Sequence, residues 1–359
     1  MHSSRFSRRV RGLFAHTQRR LNRAAGAPRG VSVDVGACIE AFEPRTLLAA
    51  VFWDGGAGTN SWHDAANWNR GGVDAVPLNG DDVTIDAAAN PTVTYSSGVL
   101  TLASLVSNEA LTITSGTLGL TPVTGTADIN NTLVLSGGNL AGGTWDFTGG
   151  TLRATASGGT ITDALINGDL IADSTSATVR VAGTTRFGAA RLTANNAGIH
   201  FAPGYTLSDL VVVEGATGGQ RNITGAVGGV GSLTIAPSGV IRVAAGAGAG
   251  LTINNSNAFT LINNGLISSE AASRTITFNN SILTNNAIIQ ALAGTIDITP
   301  TTLTNAGSIT AANATLTLGG AWSSSGTITV NASTLNLAGT FTSAGLSISR
   351  TASVINLTG

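Results

Sequence analysis

Apolar and polar residues alternate along most of this chain in short runs broken by Gly, Asn and Ser. The pattern is sharpest near the end. "LTNAGSITAANATLTLGGAW" (303–322) is followed by "SSSGTITVNASTLNLAGTF" (323–341), almost the same order of residue types. A small residue recurs at Gly265, Ala287, Gly307, Gly326 and Gly345. Four residues before each stands a large apolar one: Leu261, Leu283, Leu303, Trp322 and Phe341. Two residues after come Ile267, Ile289, Ile309 and Ile328, and in the fifth row, one place later, Ile348. Each row then carries an inward pair: Ile276/Phe278, Ile296/Ile298, Leu316/Leu318, Leu335/Leu337 and Ile355/Leu357.

Period two means strands with one buried face. Each row supplies about three short strands, and one row cannot bury its own apolar face. The rows must therefore stack, with equivalent strands ~4.8 Å apart and like residue above like. The predicted fold is all-β: a right-handed parallel β-helix or closely related β-solenoid with roughly twenty-residue rungs. Residues from about 93 to 260 read the same way with weaker phase, as in "NTLVLSGG" and "GSLTIAPSGVIRVAAG". Residues 93–359 are then the solenoid, about thirteen rungs in a rod about 60 Å long.

Asn263/Asn264, Asn285/Asn286 and Asn305 precede the small residue in three successive rows. Stacked amides can hydrogen-bond rung to rung. Asn also suits exposed left-handed turns, so the sequence leaves both readings open. Row five ends at Leu357 with no polar cap after it. Solenoids need capped ends, so the expectation is a longer polypeptide whose next residues form another rung.

Residues 51–92 are different. Trp53, Trp62 and Trp68 are three of the five Trp in the chain. A first rung has an open end, and large aromatics cover such surface well. Capping is the expected role of these three, and a sugar-stacking platform is the functional alternative. The "WDGG…W…NW…P…DDVTI" pattern resembles the opening of many bacterial surface β-solenoids, including autotransporter-like repeat proteins. Asp81, Asp82 and Asp86 carry oxygen ligands suited to Ca²⁺ but lack a full loop spacing, so a turn followed by a strand is expected there.

Residues 1–50 form a basic arm. They hold nine Arg against Asp34, Glu40 and Glu43, whereas the remainder holds nine Arg against sixteen acids. The arm lacks core patterning and reads as disordered. It ends in "FEPRTLLAA". This stretch resembles the LEPR-XLL motif near the N-termini of planctomycete surface and secreted proteins. Glu43, Pro44, Arg45, Leu47 and Leu48 match the motif, and Phe42 replaces its first Leu. The resemblance implies export or surface placement. "VGAC" (35–38) loosely resembles a lipoprotein cleavage box but lacks the apolar stretch before it.

Composition narrows the function classes. Charged residues are 10% of the chain, well below the usual quarter. Stacked like charges repel, so a solenoid favours this scarcity. Cys38 is the single cysteine, which removes internal disulfides and Cys-based zinc sites. No apolar run approaches the ~18 residues of a membrane span. Nucleic-acid binding is not expected, because Arg and aromatics are sparse on the folded part.

Catalytic chemistry finds little support. Residues 261–359 contain only Glu270, Arg274, Asp297 and Arg350 as charges. The middle rungs hold Asp163, Asp169, Asp173, Arg180, Arg186 and Arg191, which stacking could bring together; a solvated surface is the expected outcome. Neither His63 nor His200 sits in a motif. "GGVGSL" (228–233) lacks the Asp and the tandem copies of a calcium nonapeptide, and "GAGAG" (246–250) is a loop between strands, not a phosphate loop. No catalytic, metal or cofactor-binding residues are expected. The leading expectation is a non-enzymatic, exported structural or adhesin-like protein of the bacterial cell surface, with glycans or other surface proteins as partners. The alternative is a carbohydrate-active β-helix whose site lies where carboxylates converge among residues 160–215.

Overall fold

A computed structural model describes residues 49–225, 231–254 and 259–358. These residues form a parallel β-solenoid with three lateral sheets. One sheet has thirteen strands, from Thr92–Tyr95 to Ser347–Thr351. The second also has thirteen, from Val99–Leu102 to Val354–Leu357. The third is in two parts, Ala50–Trp53 through Leu165–Asn167 and Tyr205–Leu207 through Thr340–Phe341. The one helical element among the described residues is a 3-10 turn at Ala65–Asn67.

Stacking follows the sequence rows. Leu261, Leu283, Leu303, Trp322 and Phe341 are direct partners on successive strands. Ile267, Ile289, Ile309, Ile328 and Ile348 form the next column. The inward pairs from Ile276/Phe278 to Ile355/Leu357 also register rung on rung. The isoleucine column continues upstream through Ile241, Val211, Ala190, Leu170, Leu152, Leu133 and Leu111 to Val93. One apolar column thus runs through every rung of the first sheet. Each buried aliphatic side chain in it contributes ~1.5–3 kcal/mol.

Rung length is not constant. Ile309 and Ile328 are partners, as are Val211 and Ile241, although the second pair is much further apart in sequence. Long turns enter the middle rungs and blur their phase. At one corner, Ser273, Gly294, Asn313, Ala332 and Ala352 all have positive φ, from 47° to 72°. The chain therefore makes the same left-handed bend in five successive rungs.

Two expected boundaries need correction. Residue 50 belongs to the solenoid rather than the arm, because Ala50 opens the first strand and is partnered with Asp82. The break at 92/93 cuts the strand Thr92–Tyr95. The aromatic segment is itself the first rung, because Ala50–Trp53 and Asp82–Ile85 already stack in parallel. Phe42, Glu43, Pro44, Arg45, Leu47 and Leu48 lie outside the described residues.

Candidate functional site

The aromatic segment covers the first edge of all three sheets. Trp68–Arg70 pairs antiparallel with Ala50–Trp53. The Trp62 N–H donates to Thr94 O at 2.9 Å, and the Thr94 N–H donates to Asn60 O at 2.8 Å. The Gly80 N–H donates to Thr101 O at 2.8 Å, and Asn79 Oδ1 accepts from the Thr101 N–H at 2.9 Å. Backbone groups that would face solvent as an open edge are thereby paired.

The indoles sit beneath this layer. Trp53, Trp62 and Trp68 are all buried. Trp68 meets Trp53 and Trp62 edge-on, with centroids 4.9 and 4.7 Å apart, and Trp62 meets Tyr95 at 5.6 Å. Trp68 Nε1 donates to Trp62 O at 2.7 Å. A sugar-stacking platform needs an exposed ring face, and these three rings present none. Trp68→Phe shortens the buried ring and orphans Trp62 O, so a loss of at least ~1–3 kcal/mol is expected. Chemical denaturation followed by fluorescence measures it, and an unchanged midpoint would contradict this packing.

Beside the indoles lies a groove of about 270 Å³ with His63, Pro77, Leu78, Tyr95 and Val99 in its lining. His63 Nε2 accepts from the N–H groups of Ser96 and Ser97 at 3.3 and 3.2 Å. These bonds tie His63 to the Ser96–Ser97 turn.

The three aspartates of this segment do not converge on one point. Asp81 is buried and ion-paired with Arg70, its Oδ1 3.0 Å from Nη2 and its Oδ2 3.1 Å from Nε. It also accepts from the N–H of Leu78 at 2.8 Å and of Ala49 at 3.3 Å. Asp82 is exposed and accepts from the Ser104 hydroxyl at 2.6 Å. Among the described residues no group of three or more His, Cys, Asp or Glu is arranged to hold a metal ion.

Among residues 160–215, four of the five acids pair with arginines, and Asp163 accepts from the Thr184 N–H and hydroxyl instead. Arg153 pairs with Asp173 at 2.6 Å. Arg191 is held between Asp169 at 2.5 Å and Glu214 at 3.0 Å. Both bonds favour the charged guanidinium and raise its pKa above the ordinary value. Arg186 pairs with Asp209 at 2.7 Å. The geometry is diagonal: Arg153 is partnered across the ladder with Ile171, and its acid stands two residues further on. Arg191 and Glu214 repeat the offset across Val212. A general acid–base pair needs carboxylates free to hold or take a proton. Asp169, Asp173, Asp209 and Glu214 are instead engaged as acceptors of charged donors. Arg180 and His200 stack in the second sheet. Burial, and then the Arg180 charge, hold His200 below the ordinary histidine pKa, so it is neutral at pH 7.

Besides Asp209, two buried charged side chains were not among the expected candidates. Arg221 occupies an inward position between Ala197 and Leu251 and is fully buried. It donates to the carbonyls of Leu192, Thr193, Thr217 and Gly218, tying two turns of adjacent rungs together. Burial lowers its pKa. Glu109 accepts from the Ala87 N–H at 3.0 Å, which links its corner to the preceding rung.

The outward surface elsewhere is uncharged over long distances. In the second part of the third sheet, Thr206, Thr234, Thr284, Thr304 and Ser323 stand on successive outward positions broken only by Ile262. Their hydroxyls and methyls face solvent. No protein-family model, curated protein or solved structure matches this chain.

Proposed function

We propose that this chain is a non-enzymatic, exported structural or adhesin-like rod of the bacterial cell surface. The observation that carries the reading is the thirteen-rung stack itself. Such a stack sets a long, repetitive surface at fixed spacing, as a scaffold or adhesin requires. Four middle-rung carboxylates, Asp169, Asp173, Asp209 and Glu214, add support, because they are engaged by arginines. The FEPRTLLAA stretch supports export through its resemblance to the LEPR-XLL motif. Uncharged hydroxyl-rich faces suit glycans or neighbouring surface proteins as partners.

The test is localisation. Immunogold labelling of intact cells expressing the full chain is expected to mark the surface. The triple variant Glu43→Ala, Pro44→Ala, Arg45→Ala is expected to remove that label while the protein remains folded inside. A purely cytoplasmic pool for the natural chain would overturn the reading. Release of reducing sugar from any polysaccharide by the purified chain would overturn its non-enzymatic part.

A further inference from the structure

Two of the three lateral sheets run through thirteen rungs without a break, and the third does not. Its first ladder stops at Leu165–Asn167 and its second starts at Tyr205–Leu207. Within the gap, Leu165 and Arg186 share one isolated bridge. The cause is local. Pro203 has no N–H to donate, and the Gly204 N–H goes forward to Ser232 O at 2.8 Å. The chain just before Tyr205 therefore gives nothing back to the rung behind it on this face.

Side chains span what the backbone leaves open. Arg186 Nε donates to both carboxylate oxygens of Asp209, at 2.8 and 3.0 Å, and its Nη2 lies 2.7 Å from Oδ1. Asp209 Oδ2 also accepts from the Phe187 N–H at 3.3 Å. The Tyr205 hydroxyl donates to Thr185 O at 2.6 Å, and its ring stacks on Phe201 at 5.0 Å. Burial, reinforced by Asp209, raises the Tyr205 pKa, so this hydroxyl keeps its proton. Nearly every one of these contacts joins residues 185–187 to residues 205–209.

We propose that this side-chain latch closes a built-in break point, at which the solenoid divides into two cooperatively folding units. Solenoid stability is close to a sum of rung terms and nearest-neighbour interfaces. An interface with two backbone ladders instead of three is the weakest link, and sub-global opening starts at such links. Asp209 is buried and Arg186 is half-exposed, so loss of the carboxylate removes every bond to Arg186 in the latch and leaves the buried Phe187 N–H without its acceptor. A surface rod under tension would open here before it unravelled from an end.

Hydrogen exchange and calorimetry on the full chain test the idea. With Asp209→Ala, the heat-absorption peak is expected to split in two. Exchange at residues 184–188 and 202–207 is expected to rise about tenfold, while residues 270–320 stay unchanged. Asp173→Ala breaks an exposed pair where all the ladders are intact, and it is expected to leave a single peak. Equal behaviour of the two variants, or a uniform rise in exchange with one peak, would overturn the proposal. If Asp209→Ala does not fold, Tyr205→Phe removes one latch bond with little change of volume. Faster exchange confined to the gap would then support the proposal, and uniform exchange would overturn it.

Discussion

Ile309→Asp is expected to cost ~3–5 kcal/mol, because it places an unpaired carboxylate inside a closed apolar column. Ile309 is fully buried, and its partners above and below are Ile289 and Ile328. Both ladder neighbours are apolar, and pairing on either side holds the backbone of the strand in place. Thr317→Asp is the comparison. Thr317 points outward between Leu316 and Leu318, and its ladder partners are Asp297 and Asn336. The new charge would face Asp297 in solvent, a like-charge contact expected to cost ~0.2–1 kcal/mol. Thermal melting of the two variants checks both numbers. Equal shifts would mean that the strands face the other way.

Asn285→Leu is expected to cost ~2–4 kcal/mol, although leucine has the same branching and number of heavy atoms and is more apolar. Asn263 Nδ2 donates to Asn285 Oδ1 at 2.7 Å, and Asn285 Nδ2 donates to Asn305 Oδ1 at 2.7 Å. Asn305 Nδ2 closes the run on Ser324 Oγ at 2.8 Å. All four side chains are buried. Removing the middle amide leaves Asn305 Oδ1 without that donor and Asn263 with a single remaining acceptor, Ile288 O at 3.1 Å. The neighbouring exposed pair, Asn286 Nδ2 to Asn264 Oδ1 at 2.9 Å, is the control. Asn286→Ala is expected to change stability by less than ~0.5 kcal/mol, since water replaces the lost bond. Denaturant midpoints separate the two cases. A cost for Asn285→Leu no larger than for Asn286→Ala would show that the ladder adds nothing.

These two sites mark how far the sequence could be read. Ile309 and its column were legible because rungs in residues 261–357 have nearly equal length, so stacking turns a period into a contact. The asparagines were legible as a repeat but not as a ladder. Asn263 and Asn264 have the same period, yet one stacks inside and the other outside. Strand facing at the corner decides which amide meets an amide and which meets water.

The middle rungs were less legible for a different reason. Arg191 finds Asp169 one rung back and Glu214 one rung forward. Those partners follow only from the length of each intervening turn, and these rungs differ in length. The gap in the third sheet was invisible for the same reason, since a single Pro203 matters only once its rung is placed. At Asp81 the turn and the following strand were legible, but the pairing with Arg70 was not, because Arg70 lies on the strand that pairs with the far side of Ala50–Trp53.

The sequence by itself determined the architecture of this protein: alternation sets strands, repetition sets stacking, and a face that one rung cannot bury demands the next. Tertiary structure alone decided which polar side chains are inside, which charges pair and where one ladder is interrupted. Apolar burial depends on a period that is written locally. Each polar contact depends on an ångström-scale register between rungs, which accumulates from every turn in between.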